Sequence, residues 1–294
     1  MTARGRGCRQ PEGSTSQNAS SGSSLATRSP LRSPPVFRPC IDLRNGKVVQ
    51  IVGGTLDDAG TSTLTRFQSE HPPSWFAKLY QKDGLTGGHV IALGPGNESA
   101  ARDALGAWPG GLQYGGGVNL DNASAWLEAG ASQVIVTSWV FRDGLLDRQR
   151  LADLVNRVGK ERLVLDLSCR KRDGRYWVVT DRWQRFTSLE VDEAVCHDLA
   201  QSCSEFLIHA VDVEGLCQGI DLELVESLSR WCPIPATYAG GARSMEDLTT
   251  VERVGGGRIH LTIGSALDIF GGSGVRYADC VEFNRSHKPA SPHP

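Results

Sequence analysis

The sequence predicts an α/β fold, a closed (β/α)8 barrel of the TIM type built from two half-barrel repeats. Three observations predict it. Short apolar runs alternate with helical patterns from Phe37 to about Phe283, and such alternation means parallel strands joined by right-handed crossovers. Eight units fill that stretch, which is close to the length of about 250 residues usual for this barrel. The second half also repeats the first: Tyr114 and Tyr238 stand 124 residues apart, as do Asp42 and Asp166, while Ser138 and Ser265 stand 127 apart. An open doubly wound sheet is the rival arrangement for the same alternation.

The expected strands, in order, are FRPCID (37–42), HVIALG (89–94), GLQYG (111–115), QVIVTS (133–138), RLVLDL (162–167), EFLIHA (205–210), IPATYA (234–239) and IHLTIG (259–264). Each is a short apolar run, too short for a helix and bounded by turn residues. Helices are expected at SWFAKLYQKD, ESAARDALGAW, LDNASAWLEAG, LLDRQRLADLVNRVG, SLEVDEAVCHDLAQS, LELVESLSRW and SMEDLTTVERVG. Several open at Ser, Asp or Asn, whose side chains can accept from the free N–H groups of a first helical turn.

Composition narrows the possible functions. A chain of 294 residues with 39% hydrophobic side chains can bury one substantial core. Net charge is −2, and the first 36 residues hold five Arg against one Glu, so the remainder is acidic overall. No broad basic face is expected, hence no nucleic-acid partner. No apolar run reaches the ~18 residues needed to cross a bilayer, and the chain is read as a monomer. The eight cysteines show no CxxC pairs and no Cys/His ligand spacing, which fits a reducing compartment rather than a disulfide framework or a zinc site.

Residues 1–36 are rich in Ser, Arg and Gly and cannot build a core. Without an apolar stretch they do not read as a secretory signal, but they suit an organelle transit peptide. The barrel would then reside in the plastid stroma if this leader directs it there, and in the cytoplasm otherwise. The barrel domain is expected over 37–283, with a disordered tail over 284–294.

In such barrels the loops after the strands form the active site. Gly240, Gly241 and Gly264, with Arg243 and Ser265, follow the seventh and eighth strands, where glycine lets backbone N–H groups approach an anion. Gly115, Gly116 and Gly117, with Thr137 and Ser138, hold the matching places in the first half. Two cradles imply a ligand with two phosphates, although such glycines are also ordinary turn punctuation. Asp42 and Asp166 end the first and fifth strands, where one carboxylate can serve as general acid and the other as base. A helix-capping role, or an ion pair of Asp42 with Arg44, is the plainer alternative. Neither Asp has His or Glu neighbours in sequence, and no nucleotide-binding motif occurs. Proton transfer without a metal or cofactor is therefore expected. The loop 168–187 is long enough to act as a lid, with Trp177 and Trp183 among its residues. A small two-stranded excursion packed on the rim is the alternative.

The segments FRPCIDLRNGKVVQIVGGTL, LGPGN, QYGGGVN, VIVTSWVF, LVLDLSCR, FLIHAVDVEGLCQGID, YAGGARS and LTIGSALDIFGG together resemble the phosphoribosylformimino-AICAR ribotide isomerases of histidine biosynthesis, the fungal and plant branch in particular. The resemblance covers nearly all of residues 37–280. It implies a metal-free Amadori rearrangement of a bis-phosphorylated ribotide, with Asp42 as base on the sugar C2 proton and Asp166 as the acid that assists ring opening. By the same resemblance Trp183 covers the substrate. Bacterial members place a catalytic Thr where this chain has His209, so either His209 supplies that hydrogen bond or Asp212 moves in. The sister cyclase of imidazole glycerol phosphate synthase carries a needed Lys where this chain has Gln50. A phosphosugar-binding barrel without turnover is a third reading.

Overall fold

Proline at position 39 splits the first barrel strand, since it has no N–H to give to a neighbouring ladder. The two pieces are β1 (Phe37–Arg38) and β2 (Cys40–Arg44). In the computed structural model, which describes residues 37–52 and 64–287, this interrupted strand closes the barrel.

Beyond β2, β3 (Lys47–Ile51) and β4 (Thr65–Gln68) fold back antiparallel. Then come α1 (Pro73–Asp83), β5 (Gly88–Ala92), α2 (Glu98–Ala107), β6 (Leu112–Gly115), α3 (Ala123–Glu128) and β7 (Val134–Val136). A hairpin of β8 (Phe141–Arg142) and β9 (Leu145–Leu146) precedes α4 (Arg148–Val158) and β10 (Leu163–Asp166). An antiparallel sheet of β11 (Cys169–Arg172), β12 (Arg175–Thr180) and β13 (Arg185–Glu190) stands before α5 (Glu193–Leu199). The chain continues through β14 (Glu205–His209), α6 (Leu222–Trp231), β15 (Ala236–Ala239), α7 (Met245–Gly255), β16 (Ile259–Thr262) and α8 (Tyr277–Ser286). Parallel pairing runs β2-β5-β6-β7-β10-β14-β15-β16-β1. With β1 and β2 as one stave, all eight expected strands close into a ring, and the open-sheet alternative is excluded.

Alternation along β14 shows how the barrel is filled, because residues two apart share a face. Glu205 points into the floor, Leu207 into the middle and His209 into the mouth. The floor is polar, and Glu205 gathers its donors: it accepts from Arg38 Nη1 at 2.5 Å, Thr237 Oγ1 at 2.7 Å and Gln113 Nε2 at 3.1 Å. Leu207, Val164 and Ile135 form an apolar plug above it. The strand-end residues Asp42, Asp166 and His209 stand above this plug and line the mouth.

Three expectations shift, and two asparagines ahead of helices make no cap. The long loop after β10 is a three-stranded sheet, larger than the two-stranded excursion considered from the sequence, and its last strand takes residues 188–190 from the expected fifth helix. α4 starts at Arg148 because Leu145 and Leu146 pair in the hairpin; Asp147 caps it, accepting from the N–H groups of Gln149 and Arg150. Asn97 and Asn122 do not cap their helices by side chain; Asn122 instead donates to the Gly117 carbonyl. Lastly, α8 runs to Ser286, past the boundary expected at 283. Asn284 is buried there and brackets Phe37, accepting from its N–H at 2.8 Å and donating to its carbonyl at 2.9 Å. The expected leader 1–36, and the tail from residue 288 on, lie outside the described residues.

Candidate active site

The strand period delivers Asp42 from β2, Asp166 from β10 and His209 from β14 to one cavity of about 1010 Å³. Gly115 to Gly117, Ser138 and Trp183 line the same space. A second cavity of about 30 Å³ adjoins it, sharing Asp42, Gln50, His209 and Glu214 and walled by Gly240, Gly241, Gly264 and Ser265.

Asp166 is buried and accepts three hydrogen bonds: from Thr137 Oγ1 at 2.9 Å, Ser168 N at 2.8 Å and Ser168 Oγ at 2.6 Å. His209 Nδ1 lies 3.7 Å from the same carboxylate and 3.1 Å from Ser168 Oγ. Burial alone would raise the Asp166 pKa, but His209 and the two hydroxyls outweigh it and hold Asp166 below the ordinary carboxylate value. Burial would likewise lower His209, yet Asp166 first, then Glu214 and Asp42, push it up to about 9. The single hydroxyl hydrogen of Ser168 goes to Asp166, so His209 must donate from Nδ1 to Ser168. Nε2 is then the ring nitrogen available to a bound molecule.

Asp42 lies in the opposite electrostatic situation. Burial, then the neighbouring Glu214 charge, raises it to about 7, against the lowering influence of His209 and Gln50. Gln50 Nε2 approaches its Oδ2 at 3.5 Å. Glu214 was not singled out by sequence reasoning. It lines both cavities, its Oε2 is buried with no hydrogen-bond partner, and burial pushes its pKa up. The one hint in the sequence was its place two residues beyond Asp212, in a loop leaving an apolar strand. The sequence also showed no metal-like neighbourhood for either Asp. For Asp42 the fold corrects this, bringing ligand atoms of Cys40 and His89 within 4.8 Å of its carboxylate.

The glycines sit at matched points of the two halves. Gly116 has φ +108° and a Cβ there would lie 2.3 Å from the Ala92 carbonyl; Gly240 has φ +127°, with the Ala210 carbonyl 2.9 Å from such a Cβ. Both are positions only glycine fills, as the turn reading expects. Other expected cradle members are engaged elsewhere. Thr137 donates to Asp166, because its strand-end position turns it inward, and Ser265 Oγ donates to Gln50 Oε1 at 3.3 Å. Arg243 lines neither cavity; its side chain is exposed and lies beside Gly219. The second half's loops wall the smaller cavity, where Gly264 lies against the Gln50 amide.

Trp183 stands at the turn between β12 and β13, its ring 5.4 Å from that of His209. Asp181, Arg182 and Trp183 all take positive φ, 53°, 56° and 66°, a strained run for non-glycine residues. Asp181 N donates to Ser138 Oγ at 3.3 Å, which props the turn over the mouth. Trp177 lies under the Arg172 guanidinium instead. Asp212 is occupied outside the cavity by Arg170 at 2.8 Å and the Lys171 N–H at 2.9 Å. His209, not Asp212, therefore fills the strand-end position.

Two strand-end carboxylates on opposite staves, one held ionised and one near neutrality, above an apolar plug and beneath matched glycine turns, define an acid/base (β/α)8 barrel. The chain belongs to the histidine biosynthesis protein family, whose sequence pattern matches residues 37–273. It is 55% identical over 252 residues to a Neurospora crassa protein, covering 85% of this chain and 98% of that one. A Medicago truncatula protein is 52% identical over 273 residues, 88% of this chain and 87% of its own. A Saccharomyces cerevisiae protein is 49% identical over 255 residues, 84% and 97% respectively. All three are named 1-(5-phosphoribosyl)-5-((5-phosphoribosylamino)methylideneamino)imidazole-4-carboxamide isomerase, the Medicago protein with the addition "chloroplastic".

Proposed function

We propose that this barrel catalyses the isomerisation for which its relatives are named, an Amadori rearrangement that opens one phosphoribose and turns the aldosamine into an aminoketose. The observation that carries the reading is the pair Asp42 and Asp166 across one cavity, with opposite protonation behaviour. His209 and the two hydroxyls hold Asp166 below the ordinary carboxylate value, so the acid expected at Asp166 is the Asp166–His209 pair. The proton resides on His209, with Asp166 and Ser168 orienting the ring. His209 gives that proton to the sugar ring oxygen as the C1–O bond breaks, leaving an iminium at C1. Asp42 takes the C2 proton to form the enolamine. Ketonisation then returns the O2 proton to His209 and sends the Asp42 proton to C1, so both groups end as they began. A base near 7 and an acid near 9 are each close to the working pH, where proton transfer is most effective.

Gly115, Gly116, Gly117 and Ser138 hold one phosphate, and Trp183 covers the reacting sugar. The second phosphate lies on the outer side of the loops bearing Gly240, Gly241, Gly264 and Ser265. The cyclase reading shares the half-barrel repeat but needs a Lys at Gln50. A binder without turnover would have no use for two carboxylates so differently tuned. Among the described residues no helix is long and apolar enough to cross a membrane. A plastid address for the leader is supported by its composition and by the Medicago relative's name; a monomer without nucleic acid remains the working description of the assembly. The test is turnover of the formimino ribotide by the purified chain, beside Asp42→Asn and Asp166→Asn. Full activity in either variant would overturn the roles, and an inactive native protein would favour the binder.

A further inference from the structure

We propose that the small cavity beneath the mouth is a binding site for a thiophilic divalent cation of the Zn(II) class, held by Cys40, Asp42 and His89, and that its occupancy blocks turnover. Strand geometry makes the cluster. Cys40 and Asp42 are two apart on β2 and share the inward face, while His89 on β5 is the register partner of Cys40. One ligand atom from each lies within 4.8 Å of the others. Zn–S and Zn–N bonds of about 2.3 and 2.0 Å in a tetrahedron set ligand atoms roughly 3.5 Å apart. Rotation of the Cys40 and Asp42 side chains by about an ångström supplies the difference.

Two independent features point to an ion. His89 is 2% exposed, and its Nδ1 is buried with no hydrogen-bond partner, a condition buried imidazoles rarely keep. The cavity these three residues line, with Glu214 and His209 beside them, has a volume of about 30 Å³, room enough for a cation. Thiolate and imidazole select zinc, cobalt or cadmium over magnesium or calcium. On binding, the cation forms a bond to Cys40 sulfur, and the thiol proton leaves to solvent. The Asp42 lone pair is then engaged and cannot accept the C2 proton. That blocking half rests on the role of Asp42 proposed above; the site itself does not.

The test uses the full chain with Cys8→Ser, so that the leader thiol contributes nothing, after treatment with a chelator. Titration with Co(II) should give one equivalent of binding, with a near-ultraviolet thiolate-to-cobalt band that Cys40→Ser and His89→Gln each abolish. Zn(II) should suppress turnover at least ~10-fold in the protein with Cys40 intact and less in Cys40→Ser. The absorption-edge fine structure of the Zn-loaded protein should show one sulfur in the shell. A shell of nitrogen and oxygen alone, or a cobalt band unchanged in Cys40→Ser, overturns the site even where a variant folds poorly. A cobalt band with undiminished turnover overturns the blocking, and with it the role of Asp42. Failure of the unloaded protein to turn over would instead sink the proposed function, leaving the band to decide the site.

Discussion

Replacing Asp166 by Asn should change the protonation state of a different residue, His209. In the folded chain His209 is held at about 9 against an ordinary 6.5, which corresponds to a preference for the imidazolium of about 3 kcal/mol. The side chains are 12% and 9% exposed, so solvent screening discounts this little. Burial works against the charged ring and Asp166 is the strongest influence in its favour. Without that carboxylate His209 should titrate near 6.5 or below. At pH 8 its protonated fraction then drops from about nine-tenths to a few per cent at most.

The assay is an NMR titration of the His209 ring, assigned by the signal missing from His209→Gln. Stability should follow. Because the His209 pKa is raised on folding, its contribution is fully present below 6.5 and is lost as the pH rises through about 9. Because the Asp166 pKa is lowered, the same pair's contribution is present above 3.8 and is lost as the pH falls through its folded value. The deficit of Asp166→Asn in urea denaturation should therefore be greatest between about pH 4 and 6.5 and fade above 9, on the order of 2 to 3 kcal/mol counted once for the pair. A His209 signal that still titrates at about 9 in Asp166→Asn would refute the coupling.

Two further outcomes are expected. In chelator-containing buffer kcat/KM should follow a bell, rising as Asp42 deprotonates near 7 and falling as His209 deprotonates near 9; His209→Gln should remove the alkaline limb and lower kcat by about 10²-fold or more. A profile flat from pH 6 to 10 would contradict both assignments. Gly116→Ala should raise KM and lower the unfolding midpoint well beyond Gly117→Ala, whose Cβ meets open space and bears only the ~1 kcal/mol of a left-handed backbone. Equal effects from the two would show that close approach to Ala92 does not shape the turn.

The eight staves and the two carboxylates were legible because each is a local pattern: an apolar run, and a polar residue at its end. The 124-residue offset added the pairing of halves. The turn of Trp183 was legible only as a long interval, since three consecutive residues at positive φ leave no glycine signal. Asn284 looked like the start of a polar tail because its partner, the Phe37 backbone, lies at the far end of the barrel domain.

The chain's order of strands and helices, the placing of Asp42, Asp166 and His209 at strand ends, and the lack of any apolar span follow from the sequence by itself, since periodicity and turn chemistry act over a few residues. Tertiary structure alone decided which carboxylate stays charged, for that depends on burial and on His209, Ser168 and Thr137 arriving from three different strand ends. It also set Cys40 beside His89, through strand register across a 49-residue gap, engaged Thr137 with Asp166 and Ser265 with Gln50, and brought Glu214 to the mouth. Proton affinity and ligand geometry are properties of surroundings within a few ångströms, and only closure of the barrel creates those surroundings.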